Sequence, residues 1–182
     1  MLMQAWRAVA GELRSQRACR RQATPTFVFA DLVGYTALTE ARGDHAAADL
    51  AREFRRTMCA LSRDHGARQV KSMGDGVMIW IGDAGEAVAL ASAALRLVGG
   101  RPDLLPVRVG VHTGPAVRRG GDWYGRAVNV AARLADQAKP NEALVSEATW
   151  AMARCEFTWP VEGPRDLALR GLEHRVSAWR LA

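Results

Sequence analysis

The 182-residue chain has only three cysteines, Cys19, Cys59 and Cys155, an odd number at wide spacing. That excludes a disulfide framework and reads as reduced thiols, which predicts a cytoplasmic location. Histidine is equally sparse, and His45, His65, His112 and His174 show no zinc-ligand spacing with one another or with the cysteines. No apolar run approaches the ~20 residues a membrane-spanning helix requires. Arginines interrupt the apolar residues of the first twenty positions, so no secretory leader is read there. Internal repeats and low-complexity tracts are absent. Lysine is scarce too: of 25 basic residues, only Lys71 and Lys139 are lysine. In a chain that defaults to arginine, a lysine beside a tight turn suggests a need for a compact point charge, with chance usage as the competing explanation.

What is present bounds the class. Hydrophobic residues make up 49% and charged residues 24% of the chain, which suits one globular domain with a real core. A net charge of +6 fits an anionic ligand, whether nucleotide, nucleic acid or membrane. The arginines are spread along the chain, so a nucleic-acid face is not favoured over a small phosphorylated ligand.

Residues 1–23 carry Leu2, Trp6, Val9 and Leu13 at helical spacing with arginines on other faces, and read as an amphipathic helical leader or linker. Such a segment can pack on a partner helix, touch a membrane surface or connect to a regulatory part. Residues 24–182 read as one domain. Thr26 to Asp31 is continuously apolar and predicts a buried strand. Thr36 reads as a helix N-cap, Arg42-Gly43-Asp44 as a kink, and the stretch from Asp44 to His65 as a long helix closed by Gly66. Two alternating runs around Gly74-Asp75-Gly76 predict a hairpin over 67–81 with Asp75 at its tip. Further on, Glu86–Val98 and Val128–Ala138 read as helices, and Pro106–Thr113 and Glu142–Ser146 as strands. Residues 120–125 read as a loop, Ser146 as the cap of a short helix through Trp150, and Val176–Leu181 as a closing strand. Strands and helices mix without strict alternation, which predicts an α+β sheet with helices on one face.

Two acids stand out. Asp31 ends a buried strand and precedes a glycine-containing turn and a helix start. Free N–H groups from Leu32 to Thr36, including Val33, Gly34 and Tyr35, would favour an anion there. Asp31 would repel a phosphate unless a divalent cation lay between them, and Asp75 could supply the second carboxylate. The plainer reading has Asp31 capping the helix and Asp75 forming the turn. Farther on, Asn129 and Arg133 are four apart on a mostly apolar helix and share a face, where an amide and a guanidinium could hold a sugar and a phosphate.

These stretches resemble the class III adenylyl and guanylyl cyclase catalytic domains. FADLVGYT is similar to the family's first metal motif, and VKSMGDG to its base-reading lysine followed by the second metal aspartate. VRVGVHTG and GDWYGRAVNVAARL resemble its later motifs, and LRGLEHRVSAWRL its C-terminal strand. Tyr35 stands where phenylalanine is common. The resemblance covers about residues 24–182 and implies a ferredoxin-like, palm-type mixed sheet with helices packed on it. It further implies two Mg²⁺ or Mn²⁺ ions on Asp31, Asp75 and the backbone of Leu32, and a triphosphate over Leu32 to Thr36 reached by Arg108. Lys71 and Asp122 would read the base, Asn129 would orient the ribose and Arg133 would stabilise the α-phosphate. Arg170 is the candidate for a basic triphosphate ligand near the C-terminus. Sites shared between the protomers of a homodimer are implied as well.

The base choice has a physical argument. Lys71 only donates and ionised Asp122 only accepts, which matches adenine's ring-nitrogen acceptor and amino donor. Guanine would set like against like, at a cost of several kcal/mol by rough estimate for unpaired buried groups. The expected function is therefore conversion of ATP to cyclic AMP and pyrophosphate, with no membrane span and no nucleic-acid partner. The alternatives are a non-catalytic nucleotide-binding dimer on the same fold, a palm-type polymerase or diguanylate cyclase, for which no GGDEF-like stretch is found, and a nucleic-acid binder favoured only by charge.

Overall fold

The computed structural model describes residues 24–153 and 160–181, so the expected leader 1–23 lies outside the described residues. The strands are β1 (Thr26–Leu32), β2 (Arg68–Met73), β3 (Gly76–Ile81), β4 (Val107–Thr113), β5 (Val117–Arg119), β6 (Asp122–Tyr124), β7 (Glu142–Ser146), β8 (Val161–Leu167) and β9 (Val176–Leu181). The helices are α1 (Tyr35–Asp64), α2 (Ala84–Gly99), α3 (Arg126–Gln137) and α4 (Glu147–Ala153). Seven strands form one sheet in the order β2-β3-β1-β4-β7-β9-β8, and β5 and β6 pair separately. Neighbours in the large sheet are antiparallel except β4 and β7. This is the expected mixed α+β sheet.

β1 lies inside the sheet between β3 and β4 and is covered on both faces. Strand side chains alternate, so Val28, Ala30 and Leu32 enter a core with Phe54 and Met58 of α1 and Val88 and Leu90 of α2. Phe27 and Phe29 enter a second core with Ala127, Ala131 and Ala135 of α3. The expectation of helices on one face is thus corrected: α3 covers the opposite face. The unbroken apolar run TFVFA already carried this sign, because a strand shielded on one side only would alternate with polar residues.

α3 comes close because Gly110 of β4 has no side chain. A Cβ there would lie 2.2 Å from the Ala131 carbonyl oxygen and 2.2 Å from the Ala135 nitrogen. Those two atoms are i and i+4, partners in the helical ladder, so Gly110 lets the backbone of α3 rest on the sheet.

Several local expectations hold. Gly43 is non-helical (φ 80°, ψ 166°) and breaks α1, and Gly66 follows the helix with φ 64°. In the β2–β3 hairpin Met73 pairs with Gly76 across the turn Gly74-Asp75, with Gly74 supplying the positive φ of 60°. The Ser146 hydroxyl accepts from the Thr149 N–H at 3.3 Å, capping α4. Two expectations are corrected. The residue at the start of α1 is Gly34 (φ 86°) without a side-chain cap, and Thr36 already lies in the helix. Residues 120–125 are not a loop: Arg119 pairs with Asp122 across Gly120-Gly121, both at positive φ, in a β5–β6 hairpin. Three-residue strands with polar flanks hid a pairing that the Gly-Gly turn announces. No helix among the described residues is long and apolar enough to cross a membrane.

Candidate active site

The C-terminal end of β1 gathers the first group. Asp31 pairs in register with Gly76 of β3 on one side and Arg108 of β4 on the other. By alternation it projects from the α3 face, with Phe27 and Phe29. Gly76 keeps that space open: a Cβ there would lie 3.1 Å from the Asp31 Oδ1. Asp75 precedes Gly76 and brings a second carboxylate to the first. Burial, and next the charge of Asp31, push the Asp75 carboxyl above the usual range, against its own backbone hydrogen bond and Arg108. Two acids held within each other's field could serve as oxygen donors to a hard divalent cation. Among the described residues no group of three or more His, Cys, Asp or Glu side chains could hold a metal. A cation here would take its remaining oxygens from backbone carbonyls, water or substrate.

Arg108 is anchored in this group. Its Nε and Nη2 donate to Asp31 Oδ2 at 3.0 and 2.6 Å, and its Nη1 donates to the Asp136 carbonyl at 3.3 Å. Arg133 Nη1 in turn donates to Asp136 Oδ2 at 2.8 Å. Asp136, which the sequence reading missed, thus joins the two arginines. Its position three residues after Arg133 was the available signal. Asp31, Gly76, Arg133 and Asp136 line one cleft of about 220 Å³.

The helix start beside Asp31 differs in detail from expectation. Of the N–H groups from Leu32 to Thr36, Leu32 donates to the Asp75 carbonyl at 3.4 Å and Val33 to the Pro106 carbonyl at 2.8 Å. These bonds lace β1 to the hairpin turn and to the residue just before β4. The anion-facing groups reduce to Gly34, Tyr35 and Thr36, the uncapped start of α1.

A second group forms at the other end of the α3 face. Lys71 and Asp122, 51 residues apart, meet with Nζ donating to Oδ2 at 2.8 Å. Asp122 Oδ1 accepts the Trp123 backbone N–H at 2.9 Å. Lys71 first, then this N–H, hold the Asp122 carboxyl below the usual range, so it is ionised and purely an acceptor at neutral pH. Asn129 and Arg133 are exposed on α3, while Val130 and Leu134 point inward. Arg170 stands exposed after Leu169, which packs on Val130 and Leu134, and is not among the residues lining the Asp31 cleft.

Sequence reading also missed a buried polar chain: His112 Nδ1 lies 2.7 Å from Ser146 Oγ, which meets Thr149 Oγ1 at 3.0 Å. Burial, then the Arg126 charge, push His112 down to about 4, so it is a neutral structural group at physiological pH.

Comparison with known proteins places the chain in a family. Residues 19–181 match the model of the adenylate and guanylate cyclase catalytic domain. An uncharacterised Mycobacterium tuberculosis protein is 36% identical over 156 residues, 84% of this chain and 40% of that protein. The pH-sensitive adenylate cyclase of the same organism is 33% identical over 164 residues, 86% of this chain and 40% of its own length. The chain therefore spans about 40% of the length of these curated relatives. A structure of an adenylate cyclase from Trypanosoma brucei in its monomeric state superposes with a TM-score of 0.78 at 25% identity, covering 90% of each chain. The chain belongs to the adenylate and guanylate cyclase catalytic domain family.

Proposed function

We propose that this domain, residues 24–182, is an adenylyl cyclase that converts ATP to 3′,5′-cyclic AMP and pyrophosphate for cyclic-nucleotide signalling in the cytoplasm. The observation that carries the reading is the facing pair Asp31 and Asp75 beside the uncapped start of α1. Asp31, Asp75 and the backbone of Leu32 would hold two divalent cations, Mg²⁺ or Mn²⁺, which supply Lewis acidity at the reacting hydroxyl and phosphate. Gly34, Tyr35 and Thr36 cradle the triphosphate, with Arg108 and Arg170 as its cationic ligands. Arg108 must then divide its donors between Asp31 and the phosphates. Asn129 orients the ribose so that its 3′-oxygen lies in line with the α-phosphorus, and Arg133 neutralises charge growing on the α-phosphoryl oxygens.

Lys71 and Asp122 read adenine. Their mutual 2.8 Å bond presents one donor and one acceptor side by side, the complement of the adenine edge. Each site is completed by a second copy of the chain in a two-fold homodimer. Exposed Met73, Val117 and Tyr124 around β2 and the β5–β6 hairpin supply apolar surface for such an interface.

The test is purified protein with ATP or GTP and Mn²⁺ or Mg²⁺, with products resolved by chromatography. Cyclic AMP and pyrophosphate from ATP are expected. Lys71→Glu with Asp122→Cys should move preference toward GTP, which neither single change achieves. ATP binding without pyrophosphate release would instead support a regulatory nucleotide-binding dimer.

A further inference from the structure

The β5–β6 hairpin carries Asp122, yet three-residue strands have little stability of their own. Its anchor is aromatic. Trp123 stacks on Trp80 of β3 with ring centroids 5.5 Å apart and 29° between planes. It meets Phe27 of β1 edge-on at 5.6 Å and 71°. The Arg118 guanidinium, from the strand paired with β6, lies 6.0 Å from the Trp123 ring centroid. Phe27 is fully buried, so the ring seats on part of the packed core. The same residue's N–H donates to Asp122 Oδ1, leaving Oδ2 for Lys71.

We propose that Trp123 is a positioning residue for purine selectivity: stacked on Trp80 and edge-on to Phe27, it fixes the N–H that orients the Asp122 carboxylate toward Lys71 and the base. The proposal rests on the reading of Lys71 and Asp122 as the base-recognising pair. Trp123 itself need not touch nucleotide. With the ring removed, the hairpin loses its anchor, the carboxylate can rotate, and the donor–acceptor pattern that excludes guanine blurs.

The experiment compares the kcat/KM ratio for ATP over GTP in wild type, Asp122→Ala, Trp123→Ala, Trp123→Phe and the Asp122→Ala/Trp123→Ala double variant. Trp123→Ala should lower the ratio by about tenfold or more, chiefly through KM for ATP, as expected when a recognition group is displaced by about 1 Å. Trp123→Phe keeps a ring on Phe27 and Trp80 and should restore most of the ratio. The double variant should fall within about twofold of Asp122→Ala alone, because one residue acts through the other. A purely structural tryptophan would lower melting temperature and both turnover rates together and leave the ratio alone. That result, or additive effects in the double variant, overturns the proposal. An unchanged ratio in Asp122→Ala removes the base-reading assignment itself, and the proposal with it. Should Trp123→Ala misfold, Trp80→Leu withdraws the stacked ring instead and should shift the ratio the same way; an unshifted ratio counts against the proposal.

Discussion

Gly110→Ala tests the seating of α3 with a single methyl group. The added carbon would lie 2.2 Å from both the Ala131 oxygen and the Ala135 nitrogen and 2.9 Å from the Leu134 carbonyl carbon. All three are helix backbone, so no side chain can swing away, and α3 must retreat by about 1 Å to regain ordinary contact. Overpacking of this kind costs about 1–3 kcal/mol. In a domain of this size that lowers the melting temperature by roughly 2–12 °C at 2–4 °C per kcal/mol. The same retreat shifts Asn129 and Arg133 from the place where they would meet the nucleotide in the shared site. A displacement of about 1 Å in a positioning element can cost about 10²-fold in turnover. Gly82→Ala is the control, since nothing lies within 4 Å of its added carbon and its backbone is not in the left-handed region. Thermal melting and cyclic AMP production, measured side by side, decide the matter. A Gly110→Ala protein that melts like wild type and keeps turnover within a few-fold would refute the view that α3 seats its polar residues by resting on β4.

Two other perturbations separate stability from chemistry. The Asp75 carboxyl is raised by burial and by Asp31, so the folded protein binds its proton more readily than the unfolded chain does. Stability linked to this group is therefore fullest below the unfolded carboxylate pKa and is lost as pH rises through the folded value. Asp75→Asn should accordingly melt higher than wild type at pH 7 while turnover falls below about a tenth, a barrier change of at least ~1.4 kcal/mol. Mn²⁺ should raise the melting temperature of wild type and not of the variant, and a variant that cyclises ATP normally would sink the carboxylate-pair assignment. For the shared site, Asp31→Ala and Arg133→Ala should each be nearly inactive alone and recover roughly a quarter of wild-type activity once mixed subunits have exchanged, because half the dimers then hold one intact site. Exchange shown by tagged pull-down without recovered cyclic AMP would place both residues in one chain's site.

The fold was legible where local chemistry is strong. Gly74-Asp75 between alternating runs announced a hairpin, and the unbroken TFVFA announced a strand with both faces covered, although its second cover was not drawn from it. That Asp31 would lie beside Asp75, and Lys71 beside Asp122, was legible from short motifs. Their other partners were not. Nothing local says that Arg108 will hold Asp31 across a strand pair, or that the N–H groups of Leu32 and Val33 will bind the Asp75 and Pro106 carbonyls. Asp136 and the Phe27–Trp80–Trp123 cluster are set by packing between segments distant in sequence, which a residue-by-residue pattern does not display.

The place of β1 within the sheet bears on how the chain is made. It is the first strand of the domain, yet its partners are residues 76–81 and 107–113. At roughly 5–20 residues per second of synthesis, β1 waits about 4–16 s for β4 to follow it. Through that interval TFVFADL is an apolar strand with two open edges, the kind of segment that pairs with neighbouring chains. The β2–β3 hairpin closes locally and can shield one edge early. The other edge stays open until β4 arrives, bringing Arg108 to Asp31. Destabilised variants of β4 should therefore be lost in the cell mainly as aggregates of nascent chains, before Arg108 ever reaches Asp31.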